Sequence, residues 1–446
     1  MSKKSSKKTK KPSLKQKITA FIEKKRPRQF ALNAGKTALE KADTFIRYKY
    51  SALFLAVIML GLMLFTYSIT SYNYLFNNFP MYATRTVQFY LIDYSVGFVS
   101  RALIGHIISL FTDKVSFVFF LALTKAVLWI SLILQALLAA AAFKKAWLKK
   151  SPLLCVLFVF FALSHHTVMP NVMNYGILDT YNLLLAVFYI YISDKKGAFI
   201  LTPVICFTGI ILHYQFVLAY LTMIFSVELY YIVKNKKGRA LRAAFFCFTA
   251  AGSIALTVYL MFFSKYGVKM SASELYEYML SKYPDARATG LFEEYFTYYI
   301  YGDYQGVNYS APADFIKFLV SYAAERIRLK KVLLYSLSTF PVFGIILYFW
   351  IYILKRTDKK SRLPYLVFML QPLMLIISVI ASTDTSRWAG ASFFSNFMLL
   401  FAVLKSDEPL LCDAAKKCVS SAPKKIAVLL ILFLSFASTA YIYYVH

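Results

Sequence analysis

Long apolar runs recur from residue 51 to the end of the chain, and clusters of Lys and Arg stand between them. A helix needs about 20 apolar residues to cross a hydrocarbon core about 30 Å thick. In lipid the backbone must satisfy its own hydrogen bonds, so runs of this length fold as α-helices. Of the 446 residues, 59% are hydrophobic and 16% charged, which is more apolar surface than a soluble fold of that size can hide. The sequence therefore predicts an all-α polytopic membrane protein.

The expected spans lie at about 51–70, 115–142, 152–166, 178–193, 244–263, 332–354, 363–381, 389–404 and 426–445. The run at 198–233 is too long for one crossing, since as a single helix it would measure about 54 Å. It would also put its two basic ends on opposite sides of the membrane. A hairpin at His213, in "HYQ", makes it two spans and brings the count to about eleven. The net charge of +30 then has an explanation other than nucleic acid, because Lys and Arg gather in the loops assigned to the cytoplasm. The N-terminus is expected inside and the C-terminus outside, in a plasma membrane.

Residues 1–50 form a basic tail ahead of a transmembrane domain at 51–446, with external loops at about 71–114 and 264–331. Leu14, Ile18, Phe21 and Ile22 recur in the tail at helical spacing with lysines opposite. That pattern suits either a helix on anionic lipid or a solvated charge run that fixes topology. The tail does not have the form of a cleavable signal peptide. None of the five cysteines lies in an expected external loop, so no disulfide framework is implied.

With this topology the five histidines and several charged residues sort to the outer side: His106, His165, His166, His213, His446, Asp93, Asp179, Asp384, Arg85, Arg101 and Arg387. Ionisable groups at membrane depth are costly and are usually functional. The first external loop holds "FYLIDYSVGFVSRALIGHI", where Asp93, Gly97, Arg101 and Gly105 recur every fourth residue. Ile92, Val96, Val99 and Leu103 run beside them, so the segment reads as an amphipathic helix whose polar stripe lines a groove. Its glycines would let a backbone or a ligand approach. The alternative is a structural role for Asp93 and Arg101, each paired elsewhere, because residues eight apart do not meet on one helix.

Asp179 enters the fourth span in "GILDTYN", where it serves as an N-cap, as a catalytic acid, or as both. Lys125 lies inside the second span and must snorkel or pair, with Asp179 or a lipid phosphate as partners. His165, His166 and His213 show no metal-ligand spacing, so no metal site is indicated. In 264–331, "SASELYEYMLSKYP" opens with Ser271 and Glu274 in capping-box spacing, and a second amphipathic helix follows a tyrosine-rich stretch. The tyrosines read as an interfacial belt or as a platform for a sugar face. A phosphate-binding Gly-rich loop, a dinucleotide fingerprint and a serine nucleophile elbow are all lacking.

The layout resembles the GT-C superfamily of membrane glycosyltransferases, carried by "LIDYSVGFVSRALIG" in the first loop and "GILDTYN" in the next external loop. Asp93 is followed by Tyr94 and Ser95 rather than by a second acid. The resemblance implies sugar transfer at the outer face from a polyprenyl-phosphate donor to a glycan or lipid-linked acceptor, without a cofactor. It implies Asp93 as general base with Asp179 as a second acid. Arg101 and Arg387 would hold the donor phosphate, with Arg85, Lys125, His165, His166 and His213 as further binding residues. Two other classes stay open. One is a surface-polysaccharide polymerase or ligase using Arg287, Arg326 and Arg328. The other is a lipid-linked sugar flippase or transporter, for which charges near the midplane and internal repeats would speak.

Overall fold

The computed structural model describes residues 37–76, 86–168, 176–213, 216–235, 237–285, 303–304, 307–308, 317, 329–381 and 385–445. Arg85, Asp384, His446, the tail at 1–36 and the expected second amphipathic helix before 329 lie outside the described residues, as do Arg287, Arg326 and Arg328. The chain divides into two compact units, Met1–Ala52 and Leu53–His446. In the first, residues 37–47 are helical and the Ser51 hydroxyl donates to the Ile46 and Tyr48 carbonyls.

The described structure is nearly all helix. In chain order the helices are α1 (Ser51–Phe76), α2 (Leu103–Ser109), α3 (Phe117–Leu148), α4 (Pro152–Leu163) and α5 (Asp179–Ile192). Next come α6 (Thr202–Leu212), α7 (Thr222–Lys234), α8 (Arg239–Val258) and α9 (Ala272–Lys282). The series ends with α10 (Leu329–Arg356), α11 (Leu363–Leu370), α12 (Leu373–Ala381), α13 (Thr385–Lys405), α14 (Pro409–Cys418) and α15 (Ala422–Val445). A two-residue antiparallel pair, Asp303–Tyr304 with Val307–Asn308, is the strand structure among the described residues. Among the described residues seven helices are long and apolar enough to cross a membrane, which makes this a membrane protein by length and composition. The other four expected spans fall on apolar helices of 10–17 residues, at Pro152–Leu163, Asp179–Ile192, Ala198–Leu212 and Leu363–Ile377.

Local chemistry sets many of the helix starts. The Ser116 hydroxyl caps α3 by accepting from the Phe119 N–H. Pro152, Pro203, Pro364 and Pro409 each occupy a first-turn position, where a missing N–H costs nothing. Ser271 and Glu274 form the expected capping box at α9. The run at 198–233 folds back as expected. The Thr202 hydroxyl at the start of α6 donates to Glu228 midway along α7, at 3.1 Å. At the tip, Gly209 packs so closely on the Phe216 ring that a Cβ there would lie 2.6 Å from it.

Helix α13 is the hub, buried along nearly its whole length. Lipid is as apolar as leucine, so packing and polar contacts hold spans together rather than the hydrophobic effect. Here Phe393 stacks on Phe161 at 6.2 Å and meets Phe397 at 4.7 Å. Arg387 near the start of α13 pairs with Asp179 at the start of α5, and Lys405 at its end pairs with Asp194 just past the end of α5. The two helices therefore run parallel, with an ion pair at each end. The stretch from Arg387 to Lys405 spans about 27 Å, near the thickness of a hydrocarbon core. The Lys405 end also gathers Lys145 and Lys149 on Asp407, and Lys234 beside Glu408.

A second apolar cluster joins residues 87–115 and α9 to the starts of α3 and α5, with Val87, Leu91, Val96, Phe120, Leu178, Leu275, Met279 and Tyr283 buried in it. The amphipathic helix expected over 89–107 is corrected here. A 3₁₀ turn at Val87–Tyr90 leads into irregular backbone, and helix resumes only at Leu103. The Asp93 side chain accepts from the Ser95 N–H and hydroxyl, a local turn that competes with helix. Gly97 at φ +140° and Arg101 at φ +72° then take the backbone out of helical space. Ile92, Val96 and Val99 are still buried, so the apolar residues keep their partners in another geometry. The close approach at both glycines is by backbone: a Cβ at Gly97 would meet the Gly267 carbonyl, and one at Gly105 the Ile92 carbonyl.

Candidate functional site

The end of the bundle away from the lysine clusters holds a cavity of about 480 Å³, open mouth included. Its polar lining comes from three helices and two joints between helices: Gln135 of α3, His166 after α4, Asp179 and Asn182 of α5, Tyr220 before α7, and Arg387 of α13. Gly390 and Ala391 leave the α13 wall without bulk. Tyr220 arrives on a π-helical turn, Val217–Leu221, a distortion that is common at functional sites.

Asp179 is the first residue of α5, and Leu178 is the N-cap, which makes no side-chain cap bond. The expected capping role of Asp179 is thus corrected. An acid in the first turn still suits the positive end of the helix dipole. Its Oδ2 accepts from Arg387 Nε at 2.6 Å and lies 2.5 Å from Nη2. Its Oδ1 makes no hydrogen bond among the described residues. An arginine at a helix N-terminus opposes the dipole, so Arg387 owes its place to Asp179 across the bundle rather than to its own helix.

One turn along α5, the Asn182 amide donates to the His213 carbonyl at 3.3 Å. His213 Nε2 lies 2.9 Å from Arg101 Nη2. A guanidinium can only donate, so that ring nitrogen accepts and carries no proton. Arg101 is fixed further by its N–H on the Ile211 carbonyl at 3.0 Å and by the Phe89 ring at 5.3 Å from its guanidinium carbon. His213 stands within electrostatic reach of both Arg101 and Arg387. His166 lines the cavity and meets the Ser338 hydroxyl at 2.8 Å. His165 is buried behind it, 5.3 Å from Phe436. Lys125 is half-buried in α3, and the ion-pair partner of Asp179 is Arg387.

Asp93 stands apart from this cavity. Lys282 and the Tyr278 hydroxyl of α9 both donate to its Oδ2, the latter at 2.7 Å. Burial by itself would raise this carboxyl, but the hydrogen bonds from Lys282, Ser95 and Tyr278 outweigh it and hold the carboxyl well below the usual range. Burial would lower the Lys282 amine, yet its bond to Asp93 leaves it raised. The four-residue periodicity that joined Asp93 to Arg101 in the sequence therefore divides between two places. Asp93 clasps α9, and Arg101 reaches His213.

Gln135, Asn182 and Tyr220 were not singled out from the sequence. Gln135 and Asn182 did carry a signal, as polar residues within apolar runs. Glu228 carried the same signal and is buried in an ion pair with Arg242 at 2.7 Å, with the Tyr189 hydroxyl donating to it at 2.8 Å. Among the described residues no three His, Cys, Asp or Glu side chains gather as a metal site. No protein-family model, curated protein or solved structure matches the chain.

Proposed function

We propose that the chain is a membrane glycosyltransferase that moves a sugar from a polyprenyl-phosphate donor to an acceptor hydroxyl at the outer face of a plasma membrane. The observation that carries the reading is the Asp179–Arg387 pair in the cavity, with one carboxylate oxygen left without a hydrogen bond among the described residues. In this reading Asp179 takes the base role that the family resemblance gave to Asp93, because Asp93 is engaged by Lys282. Asp179 accepts the proton of the acceptor hydroxyl as its oxygen attacks the anomeric carbon. The bond from that carbon to the phosphate oxygen breaks, and its electrons leave with the polyprenyl phosphate. Arg387, with Arg101 behind His213, offsets the charge that grows on the leaving group. A single displacement of this kind inverts the anomeric centre.

The sidedness of the reading rests on charge. The Lys145, Lys149, Lys234 and Lys405 end is cytoplasmic by the positive-inside rule, so the cavity end is outside. The reading takes eleven crossings, seven by the long helices and four by the shorter apolar ones, with the N-terminus inside and the C-terminus outside. Anionic lipid would meet the basic tail.

The test uses the purified full chain in nanodiscs with a polyprenyl-phosphate sugar pool, scored for glycosylated product by mass spectrometry. Asp179→Asn should lower transfer by about 10²–10⁴-fold, the usual worth of a general base. Arg387→Ala should weaken donor binding, and Arg387→Lys should restore it only in part, since a point charge cannot replace a planar fork. Full transfer in a well-folded Asp179→Asn chain would remove Asp179 from the chemistry. A ladder of lengthening product would move the reading to a polymerase.

A further inference from the structure

We infer that the first turn of α5 reads hydroxyl groups, and that Asp179 and Asn182 together accept hydrogen bonds from two hydroxyls of one sugar ring. The class of molecule rests on the transferase reading; the demand for hydrogen-bond donors rests on the cavity alone.

Asp179 and Asn182 are three apart on one helix and so share a face. Both line the cavity, and Asn182 is 1% exposed. Neither Asp179 Oδ1 nor Asn182 Oδ1 has a hydrogen-bond partner among the described residues. The Asn182 amide cannot simply turn over, because its nitrogen donates to the His213 carbonyl. Its oxygen is therefore the end left over. Buried acceptors are nearly always met in folded proteins, so two on one helical turn at a cavity wall call for a ligand that brings donors.

The chemistry narrows that ligand. A phosphate brings only acceptors to this wall and belongs with Arg387 instead. A hard cation would seek six or more oxygens, and the Asp179 charge is already balanced by Arg387. A neutral ring with adjacent hydroxyls supplies two donors, one for each of the two oxygens. Tyr220, Gly390 and Ala391 also line the cavity, an aromatic ring and two small residues of the kind that accommodate a sugar ring.

The test uses the full chain in detergent and the methyl glycosides of glucose, galactose and mannose, each with its monodeoxy derivatives. Binding is followed by saturation-transfer NMR and titration. One parent glycoside should bind, and removal of one particular ring hydroxyl should weaken it about tenfold, the scale of a lost hydrogen bond to a buried or charged acceptor. In Asn182→Leu the parent should weaken similarly, and the deoxy derivative should lose nothing further. Asn182→Asp keeps an acceptor and should keep the hydroxyl preference. The comparison of parent and deoxy sugars needs no variant, so it stands even if Asn182→Leu fails to fold. No binding of any glycoside, equal binding of all deoxy forms, or stabilisation by sodium or calcium that depends on Asn182 would each overturn the inference. Hydroxyl-dependent binding without sugar transfer would remove the transferase reading and leave this subsite. Transfer that is indifferent to ring hydroxyls and to Asn182→Leu would do the opposite.

Discussion

Two aspartates of similar sequence setting have opposite surroundings in the folded chain. Asp93 is 4% exposed and receives hydrogen bonds on both oxygens, whereas Asp179 keeps one oxygen without a bond among the described residues, beside a cavity. Asp93→Asn should therefore leave the proposed transfer within a few fold while lowering stability by about 1–3 kcal/mol, the cost of leaving Lys282 poorly partnered. Its pH dependence has a definite sign. The depressed Asp93 contributes stability above its ordinary value of about 4, and this is lost as pH falls through its lower folded value. The raised Lys282 contributes below its ordinary value of about 10.4, and this is lost as pH rises through its higher folded value. Thermal unfolding from acid to alkaline pH should show the wild-type advantage over Asp93→Asn as a plateau between those limits. An advantage confined to alkaline pH would contradict the clasp. The sequence exposed both acids as candidates but not their difference, because the deciding partners lie 189 and 208 residues away, at Lys282 and Arg387.

Among the elements, the hairpin of α6 and α7 is the most constrained, since it carries His213 at its tip and Glu228 near its base. Glu228 of α7 binds Thr202 of α6, Tyr189 of α5 and Arg242 of α8, so one carboxylate ties four helices. Glu228→Leu should cost about 3–5 kcal/mol by stranding Arg242, and adding Arg242→Leu should recover much of it. Unfolding of the purified variants in detergent checks both numbers, and equal stability of the two would refute the coupling. At the tip, Gly209→Val would push on the Phe216 ring at its rigid end, where a Cβ already falls at 2.6 Å. A loss of about 1–3 kcal/mol is expected there, together with weaker binding of the proposed donor as His213 shifts. The apolar pattern and the opposed basic ends made this hairpin legible in the sequence, although the turn "HYQ" at 213–215 has no Gly or Pro. The loop at 87–102 was not legible in the same way. Its period of four suited a helix, but the Asp93 turn and the two left-handed residues prevailed, and the buried apolar side chains kept their burial without the helix.

For the whole molecule, the segregation of charge is the feature with the clearest consequence. Lys145, Lys149, Lys234 and Lys405 meet Asp407, Glu408 and Asp194 at one end of the bundle, and the cavity lies at the other. The Asp407 carboxyl is held below its usual range by hydrogen bonds from Lys145 and Lys149, so it stays ionised through neutral pH. In a chain freed of its native cysteines, Asp113→Cys should react with an impermeant thiol reagent added to intact cells, and Lys416→Cys should react only after lysis. Labelling of position 416 from outside would invert the bundle and put the cavity on the cytoplasmic face, where a polyprenyl donor could still reach it but the proposed outer-face reaction could not occur.

Composition and local pattern determined the membrane class, the positions of the apolar helices and the capping box at Ser271, because each depends on residues within a turn or a run. Tertiary structure alone decided which acid faces the cavity, which cation it meets, and that Gln135, Asn182 and Tyr220 share that cavity. Helical period places a side chain on a face of its own helix but carries no information on which distant helix packs against that face. The packing of α5 on α13, with an ion pair at each end, supplies it.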